Sequence, residues 1–320
     1  MQAEVRDLDR KALLAYVLVC TVWGSTYLVI RIGVEHLPPL LFAGLRHLIA
    51  SLFLGAFVLW RGLPRPATWG EAAYLGAGGL LFMTISNGSV VWAEQFVPSG
   101  IASVYVVTVV IWTALADSLI PGGQGRITAR VLVGLALGFL GALLLVGRSV
   151  HELLTADLRG PLALMAASMS WAIGTVLMKR RRTRASPFTV AAMQMFVGGS
   201  ALVVLGLFRG EAPRFHLDAA GAGSMAYLIF AGSIVGFGAY AYALRHMSPT
   251  ALGTYAYVNP VVAVLMGWGL GHEPITGRML VAMALMLGAA ALIQFGDLVP
   301  LPRALGSRST RAPAAPDAAP

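Results

Sequence analysis

Side chains able to make or break bonds are few in this sequence and badly placed for it. His47, Glu94 and Asp117 fall near the ends of three different apolar stretches, and the only cysteine, Cys20, lies inside a fourth. Hydrolysis needs a nucleophile with its base, paired carboxylates or a metal cluster. No such set and no metal-ligand spacing occurs, so no catalytic residue, metal or cofactor is expected. What recurs instead is a large ring with a hydroxyl or amide near it, inside apolar stretches. Tyr105 and Thr108 are three apart, as Tyr255 and Asn259 are four apart, and residues at those spacings share a helix face. Trp23 stands with Ser25, Thr26 and Tyr27, Asn87 with Ser86 and Ser89, Trp171 with Thr175, and Tyr240 with Tyr242. Polar and aromatic groups at that depth must face protein or water, because lipid offers no hydrogen-bond partner. The chemistry is that of recognition, and rings with a few hydroxyls and amides suit amino acids or amphipathic aromatic compounds better than polyanions.

The elements that carry these residues must be membrane helices. With 58% hydrophobic and 12% charged residues, and a mean hydropathy of +0.76, the chain has about half the usual charged share of a soluble domain. A hydrocarbon core about 30 Å thick needs about 20 apolar residues per helix. Ten such stretches are predicted: 11–30, 40–60, 73–93, 100–120 and 128–146, then 162–178, 188–208, 225–244, 250–270 and 276–295. The first is too long for a signal peptide, carries Trp23 and Tyr27, and is followed by no small-residue cleavage site. The net charge of +9 would suggest nucleic acid in a soluble protein, but the arginines concentrate in short loops beside apolar helices. Lipid and a small molecule, not nucleic acid, are the expected partners.

The densest basic run is Lys179 to Arg184, between the sixth and seventh stretches. Of the 23 lysines and arginines, Arg31, Arg148, Arg159, Arg209, Arg214 and Arg278 fall on one side and Arg46 within a span, which leaves sixteen on the other. The positive-inside rule then puts both termini in the cytoplasm. A shift of 148 lays Trp171 on Trp23, Thr175 on Tyr27, Pro187 on Pro39 and Gln194 on Arg46, and a shift of 151 lays Pro249 on Pro98. The chain therefore reads as two copies of one unit. Five helices per copy force the second copy to insert upside down. The organisation expected is a cytoplasmic N-terminal segment at 1–10, a first five-helix repeat at 11–147, a periplasmic linker at 148–160, a second repeat at 161–296, and a disordered cytoplasmic tail at 297–320 rich in Pro, Ala, Arg and Ser.

Each candidate has a structural reading beside the functional one. Rings and amides in helices also serve as core packing. Arg46, within two turns of a helix end, is expected to snorkel to the interface or form a structural pair. Glu94 is expected to reach headgroups or water. The glycines at 134, 138 and 141 mark a close-packing helix, for an intrachain neighbour or a dimer, so the chain is a monomer or homodimer. Gly236 and Gly238 permit close packing or bending and are gating candidates, and Pro260 frees an upstream carbonyl and is a candidate kink.

WGSTYLVIR at 23–31, VPSGIASV and MSPTALGTY opening the fourth and ninth helices, and YVNPVVAVLMGWGLGHEPIT at 257–276 resemble the EamA family of the drug/metabolite transporter superfamily, over about residues 11–295. The last run holds Pro260, then Gly271, His272 and Glu273. The resemblance implies an all-α integral membrane fold, ten helices as two inverted five-helix repeats around a central cavity. It implies bacterial inner-membrane export of small metabolites such as amino acids, the aromatic amino acid exporters among them. Helices one, three, four, six, eight and nine would line the cavity, with two, five, seven and ten outside. Export by alternating access, of aromatic or hydrophobic amino acids or related compounds, is the leading expectation. Trp23, Asn87, Tyr105, Thr108, Trp171, Thr175, Tyr240, Tyr255 and Asn259 are the substrate-binding candidates. The first copy lacks a proline near Thr108 to match Pro260, which argues against a symmetric pair of broken helices. A nucleotide-sugar or sugar-phosphate exchanger would need deep cations to neutralise phosphate, an intramembrane enzyme would need a catalytic set, and a passive channel would need neither.

Overall fold

The structure is a computed structural model that describes residues 2–97, 99–120, 127–146, 157–181, 183–271 and 275–295. Glu273 with His272, residues 148–156 of the linker, and the tail lie outside the described residues. Among the described residues ten helical rods follow one another: α1 (Gln2–His36), α2 (Pro39–Trp60), α3 (Trp69–Ala93), α4 (99–119), α5 (Ala129–Val146), α6 (Arg159–Arg180), α7 (Pro187–Phe208), α8 (Ala219–His246), α9 (249–271) and α10 (Gly277–Phe295). Eight are long and apolar enough to cross a membrane. α5 is shorter, and α9 is split at Thr254. α1 continues without a break through residues 2–10, where a flexible or interfacial segment was expected.

The chain signals its own helix starts. Ser186 accepts from the Thr189 N–H at 3.1 Å with Pro187 in the first turn of α7. Ser248 does the same for Ala251 at 3.2 Å, followed by Pro249, at the start of α9. A side-chain acceptor satisfies an orphan donor, and a proline loses no bond there. Trp60 and Trp69, either side of the α2–α3 turn, are exposed as interfacial anchors would be.

The pairing of the rods obeys a two-fold rule. α2 packs on α7, its counterpart, and α5 on α10, its counterpart. α1 packs on α8 and α9, and α6 on α3 and α4. Exchanging each helix with the one five places away reproduces the same contacts, so two inverted five-helix repeats surround one centre. Backbones touch where α7 crosses its neighbours: a Cβ at Gly44 would sit 2.7 Å from the Val203 nitrogen, and one at Gly198 would sit 2.4 Å from the Gly79 oxygen. The glycines of α5 face inward too. Gly134 meets Ile293, Gly138 the Tyr257 ring and Gly141 Met286, so the stripe is spent on α9 and α10 of the same chain.

α3 and α8 widen into π-helical turns at matching places, Leu80–Asn87 and Leu228–Phe237. The starts differ by 148 residues, the repeat shift. Such wide turns mark places where a helix has been adjusted around a site.

Candidate functional site

Where the repeats meet, a layer of six rings crosses the bundle. Trp23 and Trp171, equivalent residues of the two repeats, stand edge to face with centroids 5.2 Å apart. Tyr240 lies 5.3 Å from Trp23 and 5.2 Å from Trp171, Tyr255 lies 5.2 Å from Trp23, Phe82 lies 4.8 Å from Trp171, and Phe237 is stacked on Tyr240 at 5.7 Å. These are the offset and edge-on separations favoured by ring quadrupoles. The Trp23 Nε1–H donates to the Gly232 carbonyl at 3.0 Å. Gly236 seats that indole, since a Cβ there would lie 2.4 Å from Nε1. Gly238 shows no such contact, its nearest neighbour being Phe188 at 3.8 Å. Tyr240 and Thr175 share a short hydroxyl–hydroxyl bond. The Trp171 N–H is buried with no acceptor in hydrogen-bonding geometry.

On either side of the layer lies a cavity. The one toward the basic run is a vestibule of about 750 Å³, bordered by Asp117, Lys179, Arg180, Arg181, Gln194, Tyr240 and Arg245. The one on the far side holds about 100 Å³ and is lined by Trp23, Trp171 and Tyr255 with Arg46, His47, Ser86, Asn87, Ser233 and Asn259. Arg46 and Gln194, matched by the repeat shift, border opposite cavities, as inverted copies require.

Five of the nine binding candidates, Trp23, Asn87, Trp171, Tyr255 and Asn259, therefore share the far cavity, and Tyr240 faces the vestibule. Thr175 is buried behind Tyr240. Tyr105 packs in a side cluster with Tyr27, Val97 and Leu164, and Thr108 turns its hydroxyl back to the Tyr105 carbonyl at 2.6 Å. Neither borders either cavity: the shared face is real, but it points away from the centre. Pro260 sits inside the longer segment of α9, while the break falls six residues earlier at Thr254. α4 breaks at Thr108, so both helices are interrupted, at unequal depths. The Asn259 amide, oriented so that its nitrogen donates, bonds the carbonyls of Cys20 and Tyr255 at 3.1 Å each. It thereby ties α1 to α9.

Two residues, Arg46 and Glu94, depart from their sequence expectations. Arg46 does not snorkel; it is 3% exposed and donates through Nη2 to Asn87 Oδ1. His47 donates to the same oxygen from Nε2 at 3.2 Å, in the tautomer that lets Nδ1 accept from Ser233 Oγ at 3.4 Å. α2 thus lines the cavity rather than standing outside it. Glu94, expected in water, is 0% exposed, and neither carboxyl oxygen has a hydrogen-bond partner. Nothing in the sequence marked Arg46 and Glu94 as buried except that Arg46 is the arginine set deepest within a span and Glu94 an acid beside one.

The ends of the bundle are tied in matched fashion. Arg31 donates to the Glu94 carbonyl, at the C-terminal end of α3, and pairs with Glu35 at 2.9 Å. Its repeat equivalent, Lys179, donates to the Leu244 and Arg245 carbonyls at 2.7 and 3.0 Å, at the C-terminal end of α8. A cation there meets orphan carbonyls and the negative end of the helix dipole. At the α1–α8 edge, His36 lies 2.6 Å from Asp218, whose carboxyl is held below the ordinary aspartate range by the Gly221 N–H and by His36.

A known family recognises both halves of this arrangement. The EamA-like transporter family matches residues 10–147 and again residues 158–295. The chain belongs to the EamA-like transporter family. It is a multi-pass membrane protein and a transporter of small metabolites. It is 39% identical over 280 residues to the uncharacterized inner membrane transporter YedA of Escherichia coli K12, covering 86% of this chain and 88% of that one. It is 27% identical over 301 residues to a probable amino-acid metabolite efflux pump of Salmonella typhimurium LT2, covering 90% and 96%. A crystal structure of a protein 20% identical superposes with a TM-score of 0.72 over 90% of this chain and 99% of the other, which shows the same fold.

Proposed function

We propose that the chain exports small metabolites, foremost amino acids with aromatic or hydrophobic side chains, across the bacterial inner membrane by alternating access, with both termini cytoplasmic. The observation that carries this reading is the ring layer between two unequal cavities, with Trp23 and Trp171 at the repeat boundary. Rocking of the 11–147 unit against the 161–296 unit would open one side of that layer and close the other. The matched ties of Arg31 and Lys179 give each end its own fastening, so each half-cycle parts one of them.

The vestibule cations do not favour a phosphate ester. Lys179 is bound to α8 carbonyls, Arg180 donates to the Ile120 carbonyl and Arg245 to the Ala185 carbonyl. They fasten helix ends and loops. The probable efflux pump among the relatives is named for amino-acid metabolites, which agrees with the lining of the far cavity.

Uptake of labelled amino acids into proteoliposomes tests the proposal, with wild type beside Trp171→Ala and Asn259→Ala. Saturable flux of aromatic or hydrophobic amino acids, lost in both folded variants, is the expected result. A folded wild type that moves no amino acid would sink it.

A further inference from the structure

We propose that Arg46 is the anchor for a substrate carboxylate, which deepens the amino-acid reading above and rests on it. The guanidinium is buried and borders the far cavity. Its one hydrogen bond goes to a neutral amide, Asn87 Oδ1, and its buried Nε has no partner. Arg46 belongs to none of the ion pairs among the described residues. A guanidinium carries five donors in a planar fork that matches a carboxylate, and a buried charge without contact to a counter-ion is costly. In a membrane core, such a charge marks a site that expects an ion from outside the protein.

The neighbouring charges do not fill that role. Glu94, an electrostatic neighbour of both Arg46 and Arg31, makes no ion pair with either, and its oxygens accept nothing. Arg31 is occupied by Glu35 and the Glu94 carbonyl. His47 is occupied by Asn87 and Ser233. Tyr27 lines the cavity as a neutral phenol, and Arg159, at the start of α6, is exposed and paired with Asp157.

The molecule contains its own control. At the matching place in the second repeat stands Gln194, as buried as Arg46 and likewise holding an unpartnered nitrogen. The α2–α7 crossing therefore accommodates a long neutral amide on one side. The positive charge on the other is not demanded by packing.

One guanidinium balances the single charge of a carboxylate better than the double charge of a phosphate ester. A volume of about 100 Å³ is roughly that of three waters, room for a carboxylate and its α-carbon. The side chain would then lie toward Trp23, Trp171 and Tyr255.

The test uses the full chain in lipid nanodiscs and compares L-phenylalanine with L-phenylalaninamide, which keeps the ring and amine but lacks the carboxylate. Ligand-induced thermal stabilisation gives the two affinities. Wild type should favour phenylalanine by about 10-fold or more, the range of a charge-assisted pair. Arg46→Gln should abolish that preference while leaving phenylalaninamide binding unchanged, and Arg46→Lys should restore part of it. A purely structural arginine would lower both affinities together. Should Arg46→Gln fail to fold, wild type alone decides: 3-phenylpropionate should compete with phenylalanine and phenethylamine should not. Equal wild-type binding of phenylalanine and its amide, or an unchanged preference in Arg46→Gln, overturns the anchor and leaves the export reading standing. Binding of neither probe by the folded wild type overturns both.

Discussion

Asn87 offers the sharpest separation of structure from recognition, because one oxygen serves two buried donors. Its Oδ1 accepts from Arg46 Nη2 and from His47 Nε2. Asn87→Ala removes that acceptor and strands both donors. A buried donor without a partner costs about 1–3 kcal/mol, more if charged. The two together set a range of about 2–6 kcal/mol. The His47 bond is the longer, and a water in the cavity can satisfy part of Arg46, so the lower half of that range is expected, about 2–4 kcal/mol. Asn87→Asp keeps the shape and the acceptor and adds a counter-ion for Arg46, so it should match wild type within about 1 kcal/mol. The functional outcome runs the other way. Asp at 87 occupies the guanidinium and should weaken phenylalanine binding, while Asn87→Ala leaves the guanidinium free. Unfolding in nanodiscs, followed by tryptophan fluorescence, gives the stabilities, and ligand-induced shifts give the binding. An Asn87→Ala protein as stable as wild type, or an Asn87→Asp protein as damaged as Asn87→Ala, would refute the reasoning.

A methyl group at Gly138 would sit 2.3 Å from the Tyr257 ring, which is fully buried, so Gly138→Ala should cost about 1–3 kcal/mol. Combined with Tyr257→Leu it should cost less than the sum, and strict additivity in the unfolding free energies would contradict the contact. Lys179→Met should loosen the end of α8 and Arg31→Met the end of α3, seen as faster hydrogen exchange around 240–246 and 90–96 respectively. Unchanged protection in both variants would remove the two ties from the mechanism. Because the Asp218 carboxyl is depressed in the folded state, its stabilisation is present above the ordinary aspartate pKa and lost as pH falls through the depressed value. Asp218→Asn can still accept from Gly221, so its acid limb of stability against pH should be shallower than that of wild type; superimposable curves would count against the assignment.

How much of this was written in the sequence depends on what decides each feature. Ten rods and a doubled unit follow from apolar length and from pairs such as Trp23 with Trp171, because a bilayer admits few alternatives. The five candidates that meet in the far cavity were legible for the same reason, being polar or aromatic at mid-depth. Tyr105 and Thr108 show the limit: spacing tells which residues share a face, and only packing tells where the face points. The exposed reading of Glu94 and the snorkelling reading of Arg46 failed because a charge near a helix end reaches water cheaply only when that end is uncovered. Here Asn87 of α3 takes the Arg46 guanidinium, the buried Glu211 holds the start of α2 through the Leu41 N–H at 2.8 Å, and Arg31 holds the Glu94 carbonyl. The π-helical stretches were invisible, since their residues, Leu80–Asn87, would suit an ordinary helix equally well.

Cys20 is the chain's single thiol, 3% exposed in the core of α1, with its own carbonyl held by Asn259. Buried inside the bundle, it is out of reach of water-borne reagents, and thiol reactivity depends on an accessible thiolate. The native protein is therefore its own silent background. A cysteine introduced beside the vestibule or beside the far cavity becomes the one labelling site in the molecule, and impermeant reagents added to one face of the membrane can time the opening of each side without any prior substitution.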